Sequence, residues 1–570
     1  MAKKPANLVY GVEENPPWGA TLLLGLQHIF ILTAYLIFPV IIIQAIGGSD
    51  VQAATMIQMS MIGMGVTTIV QALRHGPIGS GYLAPSGNGP AYLSATLLAA
   101  KAGGLSLVCG MTIVGGFFEI LVSRIVGRLR VLFPPEVAGL VVTMVGIEVI
   151  PLGVERFLGL NQAGTRINPN DLLVALITFA SMVSISIWGK GKLRLYPILV
   201  GMVVGYLSAF GFGVLSLADL APLGTSAWVS FPSFASFGWS FDLALVLPFL
   251  IATICSTLKD IGDLTTCQKI NDSEWKRSDM KSIGKGILAD ALGDILSGVI
   301  GGLGQSTSSS NIGLSVATGA TSRRIAYAAG GLFCLLAFFP KLAEGFVIMP
   351  RPVMGAILVF AISFLILAGI QIIATRMLDA RKIFAIGISL IFGISVFLYP
   401  KAYSQVPSLL QPIFSSALSL ATITVVVLNL IFRLGISKHQ VLTITTGEPD
   451  FQEKISTFMQ RQGAAWGARR EVIKLAESAM GEFMESVVGL KLADGPIEAD
   501  VKFDELSLDV DFNYQGRLLD FQPSLPSETD LLEDEEAVFR LSSFIIKNYV
   551  DRIKTEEKDG RCRVFFHFDH

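Results

Sequence analysis

Residues Gln305 to Arg324 read QSTSSSNIGLSVATGATSRR. The run stands between apolar stretches long enough to cross a membrane, yet it opens with seven consecutive small or amide polar residues, Gln305 to Asn311. Backbone N–H and C=O groups at membrane depth have no water to bond. Unwound polar chain survives there only where it lines a cavity or is buried in protein. The run therefore predicts a discontinuous membrane helix with a solute-binding site at its break.

The surrounding composition agrees. Of 570 residues, 52% are hydrophobic and 15% are charged, against about 25% charged in soluble domains. The charges are segregated, sparse before about Arg433 and dense after it. The net charge of −2 therefore says little about partners, and nucleic acid is not expected among them. Five cysteines, Cys109, Cys255, Cys267, Cys334 and Cys562, form no CxxC pair and no metal-ligand spacing. They read as small apolar fillers, and no metal or organic cofactor is expected. The first residues, MAKKPANLVYGVEENPPW, read as a polar cytoplasmic lead without a cleavable signal.

Apolar windows of about 20 residues recur from Ala20 to Phe432 and predict fourteen segments. Seven lie near 20–46, 51–73, 81–100, 105–126, 136–153, 171–188 and 195–213; seven more lie near 242–266, 284–301, 306–320, 325–346, 352–374, 383–400 and 408–432. Arg74, Arg124/Arg128/Arg130, Lys190/Lys192/Arg194, Lys269 to Lys285, Arg323/Arg324 and Arg376/Arg381/Lys382 all fall on one side, and the alternate loops are poorer in cations. The positive-inside rule then puts both termini in the cytoplasm.

An odd number of segments in each half forces the halves into opposite orientations, the geometry of an inverted repeat. Each half is interrupted in its third segment, by GYLAPSGNGPAY (Gly81 to Tyr92) and by GQSTSSSNIG (Gly304 to Gly313). Paired breaks at corresponding places are the best sequence pointer to a transport site. Each predicts a short extended piece followed by a half-helix. The free N–H groups and positive dipole ends of the two half-helices would converge near the midplane, suiting a solute with acceptors or negative charge.

The signature Ser310-Asn311-Ile312-Gly313-Leu314-Ser315-Val316-Ala317-Thr318-Gly319 resembles that of the nucleobase–ascorbate transporter family: Gln/Glu/Pro–Asn–x–Gly, four variable residues, then Thr–Arg/Lys/Gly. Only Ser310 departs. Gln27-His28 is similar to the family's first-span pair. FPPEVAGLVVTMVGIEVIPLG from Phe133 and FPKLAEGFVIMPRPVMGAILVF from Phe339 resemble its fifth span and its eleventh-to-twelfth junction. The resemblance covers about Trp18 to Arg433. It implies an elevator-type carrier with core and gate domains, commonly a homodimer in the bilayer. Such carriers move xanthine, urate, uracil or ascorbate together with H+ or Na+, with substrate between the third, eighth and tenth spans.

Two departures bear on the substrate. Where the family has Glu–x–Ile–Gly–Asp/His in the eighth span, the chain has Lys259-Asp260-Ile261-Gly262-Asp263, so Lys259 replaces the glutamate that bonds the base. Ser310 replaces the residue that supplies a side-chain carboxylate or amide. A carboxylate accepts two ring N–H bonds, whereas a lysine only donates. Lys259 is thus a candidate for binding an anionic or acceptor-rich solute. Alternatively it is neutralised by Asp263, its i,i+4 neighbour.

Ser309, Ser310 and Asn311 either cap the half-helix or contact solute, with Gln305 to Ser308 as lining. Ala91 and Tyr92 lie where the family contributes a backbone amide and an aromatic ring; Tyr92 reads equally as core. Gln27 and His28 are candidates for a proton relay or for an interhelical hydrogen bond. Asp260, and the i,i+4 pair Asp290 and Asp294, are candidates for coupling or for capping a break. Glu119 and Glu148 are further candidates of that kind. Arg323 and Arg324 read as markers of the cytoplasmic face.

After Arg433 the pattern changes. Val472 to Val488 has helical periodicity, Leu506 to Tyr514 and Cys562 to Phe568 alternate as strands, and Phe539 to Ile553 reads as a helix. The order of elements, with GEFMESVV (Gly481 to Val488), resembles the small ATPase fold of anti-sigma-factor and histidine kinases. Ser486 stands where that fold's Mg²⁺-binding Asn belongs, and no Asp–x–Gly–x–Gly box follows. The resemblance therefore implies a degenerate, ATP-incompetent module. The acidic run from Glu528 to Glu536 reads as a solvated loop.

The expected fold is an all-α polytopic membrane protein of fourteen segments in a 7+7 inverted repeat, with a small cytoplasmic α/β domain. Its boundaries are a lead over 1–18, a transporter over 19–435 (core segments 1–4 and 8–11, gate segments 5–7 and 12–14) and an α+β regulatory or docking domain over 436–570. The expected function is cation-coupled secondary transport of a purine such as xanthine or urate in a bacterial inner membrane. The alternatives are a carrier of another anion using Lys259, and a solute sensor signalling through the C-terminal domain to a cytoplasmic partner.

Overall fold

A computed structural model gives the fold. It describes residues 4–569 except 7, 130–133, 162–163, 191–195, 226, 274, 276–277, 375–379, 408–410, 433–437, 446–449, 467, 469, 505–506, 522–534 and 559. Arg130, Lys192, Arg194, Arg376, Leu506 and the acidic run from Glu528 through Asp534 lie outside the described residues. The chain divides into two compact units, Met1–Asn429 and Leu430–His570.

The first unit is helical apart from two short strands. Helix α1 (Trp18–Leu32) runs through a 3-10 turn into α2 (Ile37–Ala45). A capping box, with the Ser49 hydroxyl on Gln52 N and the Gln52 amide on Ser49 N, starts α3 (Asp50–Gln71). Strand β1 (Ser86–Asn88) leads through a turn at Pro90–Tyr92 into α4 (Leu93–Leu129). Gly103 and Gly104 carry non-helical angles inside α4. Gly104, at φ 72°, adopts a backbone that side chains resist, and the kink there separates two helices at the boundary expected between the third and fourth segments.

Helices α5 (Pro135–Phe157), α6 (Pro169–Trp188), α7 (Pro197–Gly211) and the short α8 (Ala221–Thr225) follow. The second half has α9 (Val246–Asn271), α10 (Met280–Ile300), strand β2 (Gln305–Thr307), α11 (Ser309–Thr318), α12 (Arg323–Leu336), α13 (Pro340–Val347), α14 (Arg351–Ile373) and α15 (Ala380–Leu398). The short turns α16 (Pro400–Tyr403) and α17 (Gln411–Phe414) precede α18 (Ala417–Phe432). Helix α4 packs on α9 and α10, α3 on α12, and α14 on α5. Large apolar residues on α6, α14 and α15, among them Leu176, Trp188, Phe364, Leu367, Phe384 and Ile391, point outward, as a lipid-facing surface does.

Among the described residues eight helices are long and apolar enough to cross a membrane, or nine if α12 and α13, bent by 83°, form one span. The chain is a multi-pass membrane protein. The expected fourteen segments outnumber these for physical reasons. The third and fourth run on within α4 and count as one, although the kink at Gly103 and Gly104 separates them where the sequence predicts, and α7 and α18 are short apolar helices. The tenth is a three-residue strand plus the ten-residue α11. At 1.5 Å per residue α11 spans about 15 Å, half the hydrocarbon core.

The second unit is a five-stranded antiparallel sheet with strand order β3-β4-β5-β7-β6. It comprises β3 (Lys438–Ile444), α19 (Phe451–Trp466), α20 (Arg470–Gly489), β4 (Ile497–Phe503), β5 (Ser507–Gln515), α21 (Glu535–Tyr549), β6 (Arg552–Lys558) and β7 (Arg561–Asp569). Ile497, Val501, Val510, Phe512, Val564 and Phe566 join Phe483 and Met480 of α20 in one core. The opposite sheet face carries ion pairs, Arg563–Asp511 at 2.6 Å and His567–Asp509 at 2.6 Å. The helix expected to reach Ile553 ends at Tyr549, because Asp551 N bonds His567 O at 3.0 Å and draws the following residues into the sheet.

Candidate transport site

The two breaks meet. Strands β1 and β2 pair antiparallel, Ser86 opposite Thr307, Gly87 opposite Ser306 and Asn88 opposite Gln305. Gly89 N bonds Gly304 O and Ser308 N bonds Pro85 O, both at 2.7 Å. All six strand residues are buried. The pairing supplies the backbone partners that unwound chain at this depth requires.

A helix begins after each strand. Beyond β1, Pro90 has no N–H, so Ala91 carries the first backbone donor of the turn into α4; Ala91 and Tyr92 are buried. Beyond β2, the Ser308 side chain caps α11, accepting from Asn311 N at 3.4 Å. Ser309 is half-buried and Ser310 exposed, so the first turn of α11 opens onto accessible space. At the far end Gly319, at φ 64°, closes α11 in the left-handed conformation that glycine favours, while Thr318 bonds Leu314 O at 2.9 Å. A Cβ at Gly313 would meet nothing.

Two helices, α9 and α10, hold the strands through buried carboxyls. Asp294 of α10 accepts from the Tyr92 hydroxyl at 2.7 Å and from Gln305 N. Asp290 accepts from Ser86 Oγ and from Gln71 Nε2 of α3, both at 2.8 Å. Asp260 of α9 accepts at one oxygen from Thr307 Oγ1 at 2.6 Å, Thr307 N at 2.9 Å and Ser306 Oγ at 3.0 Å. Thus each strand is tied to α10, and β2 to α9 as well.

Lys259 is 3% exposed. Its ammonium donates to Asp263 Oδ2 at 2.9 Å, to Ser306 Oγ at 3.4 Å and to Thr307 O. An ammonium has three N–H donors, so each has an acceptor within the protein. In this arrangement Lys259 ties α9 to β2, and a solute at this side chain has to displace one of the three. His28 Nδ1 lies 2.8 Å from Asn311 Oδ1, joining α1 to the signature. Gln27 Nε2 donates to Tyr196 Oη at 3.0 Å, away from the paired strands.

Several participants escaped the sequence reading. Tyr35 Oη lies 3.1 Å from Ser308 Oγ, and Asn88 Nδ2 donates to Tyr35 O at 3.0 Å. A tyrosine in an apolar run gave no signal. Gln71 was a detectable polar residue inside an apolar helix. Arg323 does more than mark a face: its guanidinium donates to Gly81 O at 2.5 Å and pairs with Glu13 at 2.7 Å. Val9 N and Tyr10 N bond Gly319 O at 2.8 and 3.0 Å, so the N-terminal lead grips the end of α11. Glu148 bonds Ser94 Oγ and Leu418 N, at 2.5 and 3.0 Å, and caps α18.

The family model Xan_ur_permease, described as a permease family, matches residues 19–402. The chain belongs to this family, the nucleobase–ascorbate transporters. The permease is 30% identical over 428 residues to a Clostridium perfringens protein named as a purine permease, covering 75% of this chain and 93% of that one. It is 28% identical over 442 residues to the xanthine permease XanP of Escherichia coli K12, covering 75% and 95%. It is 26% identical over 429 residues to the uric acid transporter UacT of the same strain, covering 74% and 87%. The murine anion transporter Slc26a9, solved in its inward-facing state, shares the fold at 9% identity, with TM-score 0.52 over 76% of this chain and 71% of that one. The permease is a transporter and not an enzyme. Its second unit lies outside the matched residues.

Proposed function

We propose that the permease is a secondary active transporter of a nucleobase, a purine such as xanthine or urate, in a bacterial inner membrane. The observation that carries the reading is the antiparallel pairing of Ser86–Asn88 with Gln305–Thr307. It brings two helix beginnings to one place, with Ala91 N–H on one side and the exposed first turn of α11 on the other. Backbone donors there suit the carbonyl acceptors of an oxopurine. The names of the relatives point to the same substrate class.

In this reading the site comprises Lys259, Asp263, Ser309, Ser310, Asn311, Ala91 and Tyr92. Gln27, His28, Asp260, Asp290 and Asp294 serve coupling or gating, with H+ or Na+ as the coupling ion. The fourteen segments form a 7+7 inverted repeat. Core segments 1–4 and 8–11 move as an elevator against gate segments 5–7 and 12–14 within a homodimer, and both termini are cytoplasmic. The C-terminal domain is regulatory or docks a protein partner. Its resemblance to an ATPase fold goes with loss of nucleotide binding, since Ser486 is fully buried and bonds its own helix at Glu482 O, 2.9 Å away.

The committed donors of Lys259 weigh against a general anion carrier. Uptake of labelled xanthine and urate into cells expressing the chain, competed with uracil, sulfate and carboxylates, tests the proposal. Purines are expected to compete and sulfate is not; inhibition by sulfate but not by purines would overturn it.

A further inference from the structure

The residues ahead of α1 run beside the chain that leaves α11. Val9 N and Tyr10 N both donate to Gly319 O, at 2.8 and 3.0 Å, Thr321 N donates to Tyr10 O at 2.8 Å, and Arg323 N donates to Val12 O at 3.3 Å. The Ser322 hydroxyl donates to Glu14 O at 2.6 Å. Leu8 is buried, and Tyr10 packs on the cluster of Ala72, Leu83, Ala320, Ile325 and Ala326. The lead is thereby held as part of the transport unit.

Glu13 lies within this strap. Its carboxylate takes a forked pair of bonds from Arg323, Oε2 from Nη1 at 2.7 Å and Oε1 from Nη2 at 3.0 Å. Oε2 also accepts from Arg74 Nη1 at 2.9 Å. The Nε–H of the same Arg323 guanidinium donates to Gly81 O at 2.5 Å. A guanidinium is planar and rigid, so fixing its two Nη atoms fixes the direction of Nε–H. Gly81 stands at φ 80°, a backbone that glycine favours, and it opens the first break shortly before β1. Arg323, the first residue of α12, therefore joins the root of β1 to the exit of α11, and Glu13 sets its plane.

An ion pair at an exposed carboxylate adds little stability, whereas a bidentate pair specifies orientation. The Glu13 side chain is 52% exposed and that of Arg323 16%, so what Glu13 supplies is direction. Both guanidiniums meet at Glu13 Oε2. Loss of its charge leaves two cations side by side, and their repulsion turns Arg323 away from Gly81.

We propose that Glu13 is a positioning residue for the transport site: through the Arg323 guanidinium it holds the start of the first break, at Gly81, in a fixed place relative to the end of α11. The N-terminal lead is thus a working part of the transport core. The proposal rests on the reading of the chain as a nucleobase transporter.

The test uses the full-length protein in liposomes loaded with unlabelled xanthine, with labelled xanthine outside. Misfolding lowers the number of working transporters, and with it the maximal exchange rate, but not the KM of those that remain; a displaced break raises the KM. Glu13→Gln and Arg323→Gln are each expected to raise KM about fivefold, the effect of one lost hydrogen bond, and the double variant no more than the larger of the two. Lys4→Gln, which removes only the exposed pair with Glu14, is expected to leave KM unaltered. An unaltered KM in Glu13→Gln overturns the proposal, as do factors that multiply in the double variant, or a KM raised as much by Lys4→Gln. Absence of exchange by the original chain would instead refute the proposed function, and amide hydrogen exchange, which needs no substrate, then decides the positioning. Residues 81–89 of Glu13→Gln are expected to exchange severalfold faster than in the original chain, with α14 unaltered. Equal rates over 81–89, or acceleration of both segments alike, overturn the proposal.

Discussion

The Tyr92 hydroxyl donates a 2.7 Å hydrogen bond to Asp294 Oδ2, although the residues stand 202 positions apart. The bond fastens the helix after the first break to the helix before the second. Tyr92→Phe keeps the ring and leaves a buried carboxyl oxygen without that donor. A loss of about 1–3 kcal/mol in stability is expected, read as a lower melting temperature of the detergent-solubilised protein. An unchanged melting temperature would count against this role.

Lys259 and Asp263 form a buried ion pair at 2.9 Å. Removing one partner of a buried pair costs about 3–5 kcal/mol, because the other charge stays behind. Lys259→Ala is therefore expected to destabilise the protein by that order and to reduce uptake with it. The double variant Lys259→Met with Asp263→Leu should recover part of the stability, as a thermal-shift comparison of the three proteins would show. Lys259→Ala with normal uptake and affinity would remove Lys259 from the site.

His28 orients Asn311 through the 2.8 Å contact between Nδ1 and Oδ1. His28→Ala is expected to lower substrate affinity about fivefold, the equivalent of about 1 kcal/mol for one buried hydrogen bond. Uptake at saturating substrate should fall less. Concentration series of xanthine uptake would separate the two parameters; an effect on maximal rate alone would place His28 elsewhere in the cycle.

In the C-terminal unit the Asp509 carboxyl, bonded to the ring, raises the His567 pKa above its ordinary 6.5, against the opposing effect of burial; Asp509 and Asp569 also act through their charge. A raised folded-state pKa means that the pair's contribution is fully present below about pH 6.5. It is lost as pH rises through the folded value. After solvent screening the effect is under about 1 kcal/mol. Hydrogen exchange of β5 and β7 in the full-length protein, corrected for intrinsic rates, should show weaker protection at pH 8 than at pH 6. His567→Asn should abolish that difference; an unaltered difference would assign it to another group.

The family match ends at residue 402 and the compact transport unit at Asn429. Deleting 438–570 is therefore expected to leave xanthine uptake largely intact. Complete loss of uptake, with the truncated protein still present in the membrane, would make the C-terminal unit part of the transport cycle.

Much of this was legible because helix and strand periods are local. Lys259 and Asp263 could be paired from their spacing of four, and the two breaks from their positions in each half. The register Ser86 to Thr307 could not, because nothing local aligns two polar strands so far apart in sequence. For the same reason Asp294 and Tyr92 were proposed for different roles and turn out to be partners. The C-terminal strand β4, IEADVKF, buries Ile497, Ala499, Val501 and Phe503 in alternation, a period-two signal that is local to the sequence. The overrun of the helix at Ile553 reflects tertiary hydrogen bonding that outweighed local propensity.

The pairing of the breaks also bears on the order in which the chain can be assembled. Ser86 leaves the ribosome 221 residues ahead of Thr307 (307 − 86). Until then Pro85 C=O and Gly89 N–H lack the partners they have in the finished protein, and lipid offers none. A nascent chain ending before Gln305 therefore carries its first half in an unfinished state, dependent on water or on the insertion machinery. Closure of the centre is a late event, and a stalled or truncated chain is expected to be a target for membrane proteolysis.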